Sequence, residues 1–205
     1  MGRMHSDAQF AGSSSVKPGG LFLLRTSAIQ ASLIALGLAS VLLSPFSFHF
    51  MLKYLTYDIV FQEFPDEVTL AVNLSLCPNK CPGCHSSILL GDVGELLDES
   101  VLISLTEKYK GEITCVALMG GDNDPAAVQQ VLAAVKQHYG GTLKTGWYSG
   151  RQELPENFNP AAFDYVKVGP YREALGALKD RTTNQRFYRV ESDGSLTDLT
   201  FRFWR

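Results

Sequence analysis

The chain has 205 residues, 45% of them hydrophobic and 19% charged, which excludes a disordered chain and suits one packed domain with an appendage. A formal charge of −3 gives no electrostatic reason to expect nucleic-acid binding. Residues 1–50 carry Arg3, Lys17 and Arg25 against Asp7 alone, so the acidic excess lies entirely in the rest of the chain.

Residues 1–50 read as an N-terminal extension. A largely apolar stretch over residues 28–43, broken by Gln30, Ser32 and Ser40, follows Lys17 and Arg25 and ends at Pro45. Carried on through Phe46, Phe48 and Phe50, it approaches the roughly 20 residues that a membrane-spanning helix needs, making 28–50 a candidate membrane segment. A basic stretch before an apolar one also matches an export signal. The favoured reading is a misplaced start, with the natural protein beginning at Met51. There Leu52-Lys53-Tyr54-Leu55-Thr56-Tyr57 opens a fresh strand-like alternation, whereas residues 12–20 are small, polar and turn-rich. On that reading membrane association is not expected.

Residues 51–205 read as one α/β domain. A β-rich run over residues 68–74 leads directly into three cysteines. Asp98 can cap a helix bearing Val101, Leu102 and Leu105 on one face, and Gly111 breaks the chain before an apolar strand at 113–118. Asp124-Pro125 starts a second helix, with Val128, Val131, Leu132 and Val135 facing the core and Gly140-Gly141 ending it. Strands follow at 143–148 and 165–168. Asp193-Gly194 marks a C-terminal β-hairpin between 187–190 and 196–203. This alternation predicts a parallel sheet with crossover helices. Ligands sit at the carboxyl ends of the strands in such folds. The loops there are the cysteine loop, Gly120-Gly121, Ser149-Gly150 and Gly169-Pro170.

Cys77, Cys81 and Cys84 have the spacing C-x3-C-x2-C, too crowded for a disulfide framework, whose bridges join distant segments. Three thiolates can ligate three irons of a [4Fe–4S] cube and leave the fourth open to an exogenous ligand. Zinc competes, with His85 as fourth ligand, although adjacent Cys84 and His85 would struggle to reach one tetrahedral ion. Haem competes as well, because Cys81-Pro-Gly-Cys84-His85 fits the C-x-x-C-H attachment motif. Cys115, within an apolar run, reads as a buried, inert thiol. Lys167 interrupts an apolar strand, either as an edge-strand snorkel or as a charge aimed at a carboxylate.

The three-cysteine spacing is the signature of the radical S-adenosylmethionine superfamily. Further blocks are Met119-Gly120-Gly121-Asp122, residues 145–150, residues 164–171 and residues 182–188. With Cys81-Pro-Gly-Cys84-His85 they make residues 51–205 resemble one branch of it, the anaerobic ribonucleoside-triphosphate reductase activating proteins. The resemblance implies an incomplete parallel (β/α) barrel. It implies a cluster on Cys77, Cys81 and Cys84, and an S-adenosylmethionine site lined by Gly83, Cys84, His85, Gly120, Gly121, Asp122 and Lys167. Many superfamily members carry Glu where Asp122 stands. Asn184, Gln185 and Arg186 are either contacts to a partner or cofactor, or loop anchors. The implied activity is reductive cleavage of S-adenosylmethionine to place a glycyl radical on the reductase. Electrons would come from a flavodoxin or ferredoxin, in the reducing cytoplasm. Activation of another glycyl-radical enzyme, such as pyruvate formate-lyase, and a non-catalytic iron–sulfur or metal-binding module are the alternatives.

Overall fold

The computed structural model describes residues 52–204, so the readings made for residues 1–50 and for a start at Met51 lie outside the described residues. Eight strands form one mixed sheet. They are β1 (Leu52–Val60), β2 (Thr69–Leu74), β3 (Glu95–Leu97), β4 (Cys115–Met119), β5 (Lys144–Tyr148), β6 (Tyr165–Val168), β7 (Arg186–Val190) and β8 (Leu196–Asp198). Among the described residues two α-helices join them, α1 (Glu99–Glu107) and α2 (Pro125–His138). The order across the sheet is β3-β1-β2-β4-β5-β6-β7-β8, and it does not close.

Only the central four strands, β2, β4, β5 and β6, are mutually parallel. The expected parallel order thus holds for the centre of the sheet, and the antiparallel pairing of β1 with β2 and β3 is the departure from it. β1 runs antiparallel to β2 and to β3, and the other flank is antiparallel through β7 and β8. The physical reason is connection length. The eight residues between β1 and β2 suffice for a reversal but not for a crossover helix. Between β5 and β6 the chain crosses with a single 3₁₀ turn, Pro160–Ala162, in place of a helix. The expected C-terminal hairpin is present, but its second strand stops at Asp198 and continues as a 3₁₀ turn, Thr200–Phe203.

Both helices begin as their caps dictate. Asp98 accepts from the Val101 amide at 2.9 Å and Asp124 from the Ala127 amide at 3.0 Å, with Pro125 opening the second helix. Leu102 and Leu105 of α1, with Val128, Val131, Leu132 and Val135 of α2, cover one face of the sheet. There they meet Leu70, Val72, Val116, Leu118, Trp147 and Val166. Burying each such side chain stabilises by roughly 1.5–3 kcal/mol. The opposite face carries Cys115, Ala117, Tyr165 and Phe187, covered by Phe64 from the β1–β2 connection and by Leu178. Because both faces are covered, β4 is apolar along its whole length instead of alternating.

The cysteine-bearing rim, a candidate active site

The four loops at the carboxyl ends of β2, β4, β5 and β6 are tied to one another. Asp122 is the tie. It is 1% exposed, and its carboxylate accepts from Ser149 Oγ at 2.6 Å, from the Gly150 amide at 2.7 Å and from Asn79 Nδ2 at 2.5 Å. Its own carbonyl accepts from Arg151 Nη2 at 2.8 Å. Three donors satisfy the carboxylate without an ion pair, as a buried charge requires. Asp122 therefore faces the loops as a brace, linking the cysteine loop to the turn after β5. The resemblance implies a place for Asp122 in the S-adenosylmethionine site, and its hydrogen bonds add a bracing role that the sequence did not suggest.

The cysteine loop runs from Ser75 to Gly94 and is anchored at both ends. The Cys77 amide donates to Leu89 O at 3.0 Å and the Leu76 amide to Gly91 O at 3.1 Å. Each thiol follows a residue of left-handed backbone: Leu76 (φ 60°), Lys80 (φ 46°) and Gly83 (φ 72°) precede Cys77, Cys81 and Cys84. Such a conformation costs a non-glycine residue on the order of 1 kcal/mol or more, so it persists where the surroundings impose it. Repeated three times, it bends the loop before every cysteine. All three thiols are free and half-buried, while Cys115 is wholly buried and its thiol is pushed far up by burial. Cys115 is buried, as its apolar run leads one to expect.

Gly120 and Gly121 form the turn after β4. The Gly120 amide donates to Tyr148 O at 2.9 Å, and its carbonyl accepts from Trp147 Nε1 at 2.7 Å. Gly121 has φ 87°, and a Cβ there would lie 2.5 Å from Val128 Cγ2. Backbone conformation and the closeness of α2 thus both demand glycine.

Lys167 lies on β6, between β5 and β7, which excludes the edge-strand snorkel. It is 7% exposed, and its ammonium donates to Gly169 O at 2.7 Å and Ser149 O at 3.5 Å, over the ring of Tyr148. Burial pulls its pKa down to about 8, while attraction to Asp122 and Cys81 acts the other way. His85 is exposed, and its ring centroid stands 5.7 Å from that of Tyr171, in the loop after β6. Gly83 faces the same loop, where a Cβ would lie 3.5 Å from Tyr171 and 3.6 Å from Glu173. Asn184 and Arg186 are loop anchors, donating to Pro170 O at 3.0 Å and to Thr183 O at 2.9 Å.

The rim thus brings the three cysteines, the glycine turn, Asp122 and Lys167 to one end of the sheet. Asn79, Ser149 and Tyr171 join them. In the sequence Ser149 and Tyr171 stood within the blocks 145–150 and 164–171 and Asn79 within the cysteine spacing, with no role assigned to any of the three side chains. Comparison of the chain with protein-family models, curated proteins and solved structures finds no match. Among the described residues no three His, Cys, Asp or Glu side chains converge into a single-ion site, and no helix is long and apolar enough to cross a membrane. The donor set of three free thiols on one loop suits an iron–sulfur cube, which offers each thiolate its own iron.

Proposed function

We propose that this chain is a radical S-adenosylmethionine enzyme that installs a glycyl radical on anaerobic ribonucleoside-triphosphate reductase. One observation carries the reading: three free, half-buried thiols share a rim with a left-handed glycine turn and a buried ammonium. Cys77, Cys81 and Cys84 would hold a [4Fe–4S] cluster. When bound and reduced, that cluster supplies the electron that splits S-adenosylmethionine into methionine and a 5′-deoxyadenosyl radical, which takes a hydrogen atom from a glycine Cα.

The chain's own residues orient the cofactor. The carbonyl of Gly120 keeps a second lone pair beside its bond to Trp147 and can accept from the methionine amino group. The Lys167 ammonium has three donors, two of them engaged by Gly169 and Ser149, and the third suits the methionine carboxylate. His85 and Tyr171 supply ring surface for the adenosine. The open mixed sheet suits the partial barrel of such enzymes, and in this reading the glycine-bearing loop of a protein substrate docks at its unclosed side. A flavodoxin or ferredoxin is the electron donor in this reading, and the cytoplasm its compartment.

Anaerobic reconstitution tests it. The loaded protein should release 5′-deoxyadenosine when given dithionite and S-adenosylmethionine, and Cys81→Ala should release none. Incubation with the reductase should then give the electron spin resonance doublet of a glycyl radical. Equal product from Cys81→Ala would end the cluster assignment. A doublet in pyruvate formate-lyase and none in the reductase would transfer the activity to that partner.

A further inference from the structure

Asn79 lies inside the cysteine spacing, two residues after Cys77, and is partly buried. The Nδ2 group approaches two acceptors at once, Asp122 Oδ2 at 2.5 Å and Cys77 Sγ at 3.7 Å. A carboxylate only accepts, so the Asp122 contact fixes which end of the amide is the nitrogen. That nitrogen has two protons, one for each acceptor. Its place is reserved by the fold: a Cβ on Gly150 would collide with Asn79 Nδ2 and come within 3.4 Å of Asp122 Oδ2. Asp122 is in turn held by Ser149 and the Gly150 amide, and these ride on the end of β5. The first cysteine of the loop is thereby coupled through one side chain to the sheet.

Resting on the cluster reading above, we propose that Asn79 is a positioning residue. Braced by Asp122, its amide fixes Cys77 and donates an N–H···S bond that raises the reduction potential of the bound cluster. The sign follows from charge. Reduction adds an electron whose density spreads onto the thiolates, and a hydrogen-bond donor at sulfur stabilises that form more than the oxidised one. Removing the donor lowers the potential, and a carboxylate in its place lowers it further.

The test compares wild type with Asn79→Ala, Asn79→Asp and Gly150→Ala, the last displacing the amide while leaving Asn79 in the chain. Hydrogen exchange of the metal-free proteins reads the positioning, and a redox titration of the reconstituted proteins followed by electron spin resonance reads the potential. The Cys77 amide should exchange about tenfold faster in Asn79→Ala, with the central strands unchanged. The potential should fall in the order wild type, Asn79→Ala, Asn79→Asp, with Gly150→Ala displaced in the same direction. Failure of Asn79→Ala to load, with strand exchange intact, also supports the positioning role. Wild-type exchange at Cys77 in Asn79→Ala, or a wild-type potential in it, overturns the inference alone. A wild type that takes up no iron overturns the cluster reading and the inference together.

Discussion

A buried ammonium is costly unless something offsets its lost hydration, and Lys167 has two carbonyls and a ring face where an ion pair would be expected. Its pKa falls from the ordinary 10.5 to about 8 because burial outweighs the attraction of Asp122 and Cys81. Between those two values the unfolded chain binds a proton that the folded chain does not. Stability therefore rises with pH across that window, and below about pH 8 the folded state bears the whole cost of the buried charge. In the metal-free protein, wild type should gain on Lys167→Met between pH 8 and 10.5, by on the order of 1–3 kcal/mol, since a tenfold change in proton affinity is worth about 1.4 kcal/mol. Urea unfolding of both proteins at several pH values checks this, because titrations common to the two cancel in the difference. A difference flat with pH would show that the ammonium is better solvated than its surroundings imply. On the proposed function the same substitution removes the partner of the methionine carboxylate, so added stability at pH 7 should come with lost cleavage of S-adenosylmethionine.

Single side chains at helix starts show which parts of the fold are local. Asp124 with Pro125 specifies where α2 begins, and the Asp124 carboxylate satisfies an amide that would otherwise lack a helical partner. Asp124→Ala should lower stability by about 1 kcal/mol with an unchanged denaturant slope, read from the shift in urea midpoint. Elements with such signals were legible in the sequence: both helices, the apolar strands β4 and β6, and the turn at Asp193-Gly194. β3 was not. Three residues long, with only Leu97 buried, it has no pattern of its own and exists because Leu52, Lys53 and Tyr54 of β1 offer it an edge. The site divides in the same way. Cysteine spacing and the paired glycines are visible within a few residues, whereas Asp122 acts through Asn79, 43 positions earlier, and Ser149, 27 positions later. No local pattern encodes partners that only the parallel order of β2, β4 and β5 brings together.

At the scale of the whole molecule, an open sheet leaves its inner face to be closed by something other than more strands. Phe64 does this from the short β1–β2 connection. It is fully buried, with ring centroids 5.0 Å from Tyr148, 5.6 Å from Phe187 and 5.9 Å from Tyr165. The space it fills is left by Gly146, where a Cβ would collide with the Phe64 ring. The connection reverses β1 and so makes the flank antiparallel, and it also delivers the residue that plugs the face. Tyr148 couples this plug to the rim: its hydroxyl donates to Glu63 O, and its ring lies under the Lys167 ammonium. Phe64→Ala leaves a cavity bordered by glycine on one side, which collapse cannot readily fill, so the cost should be about 3–5 kcal/mol. Cys115 belongs to the same inner cluster and reports on the cavity independently. In wild type it should resist alkylation until the chain unfolds, because its thiol is wholly buried and held neutral. In Phe64→Ala it should react under native conditions, with the modified residue identified by mass spectrometry. A loss below about 1 kcal/mol with Cys115 still protected would mean that the C-terminal turn bearing Phe203, 5.0 Å from Phe187, closes the face without Phe64.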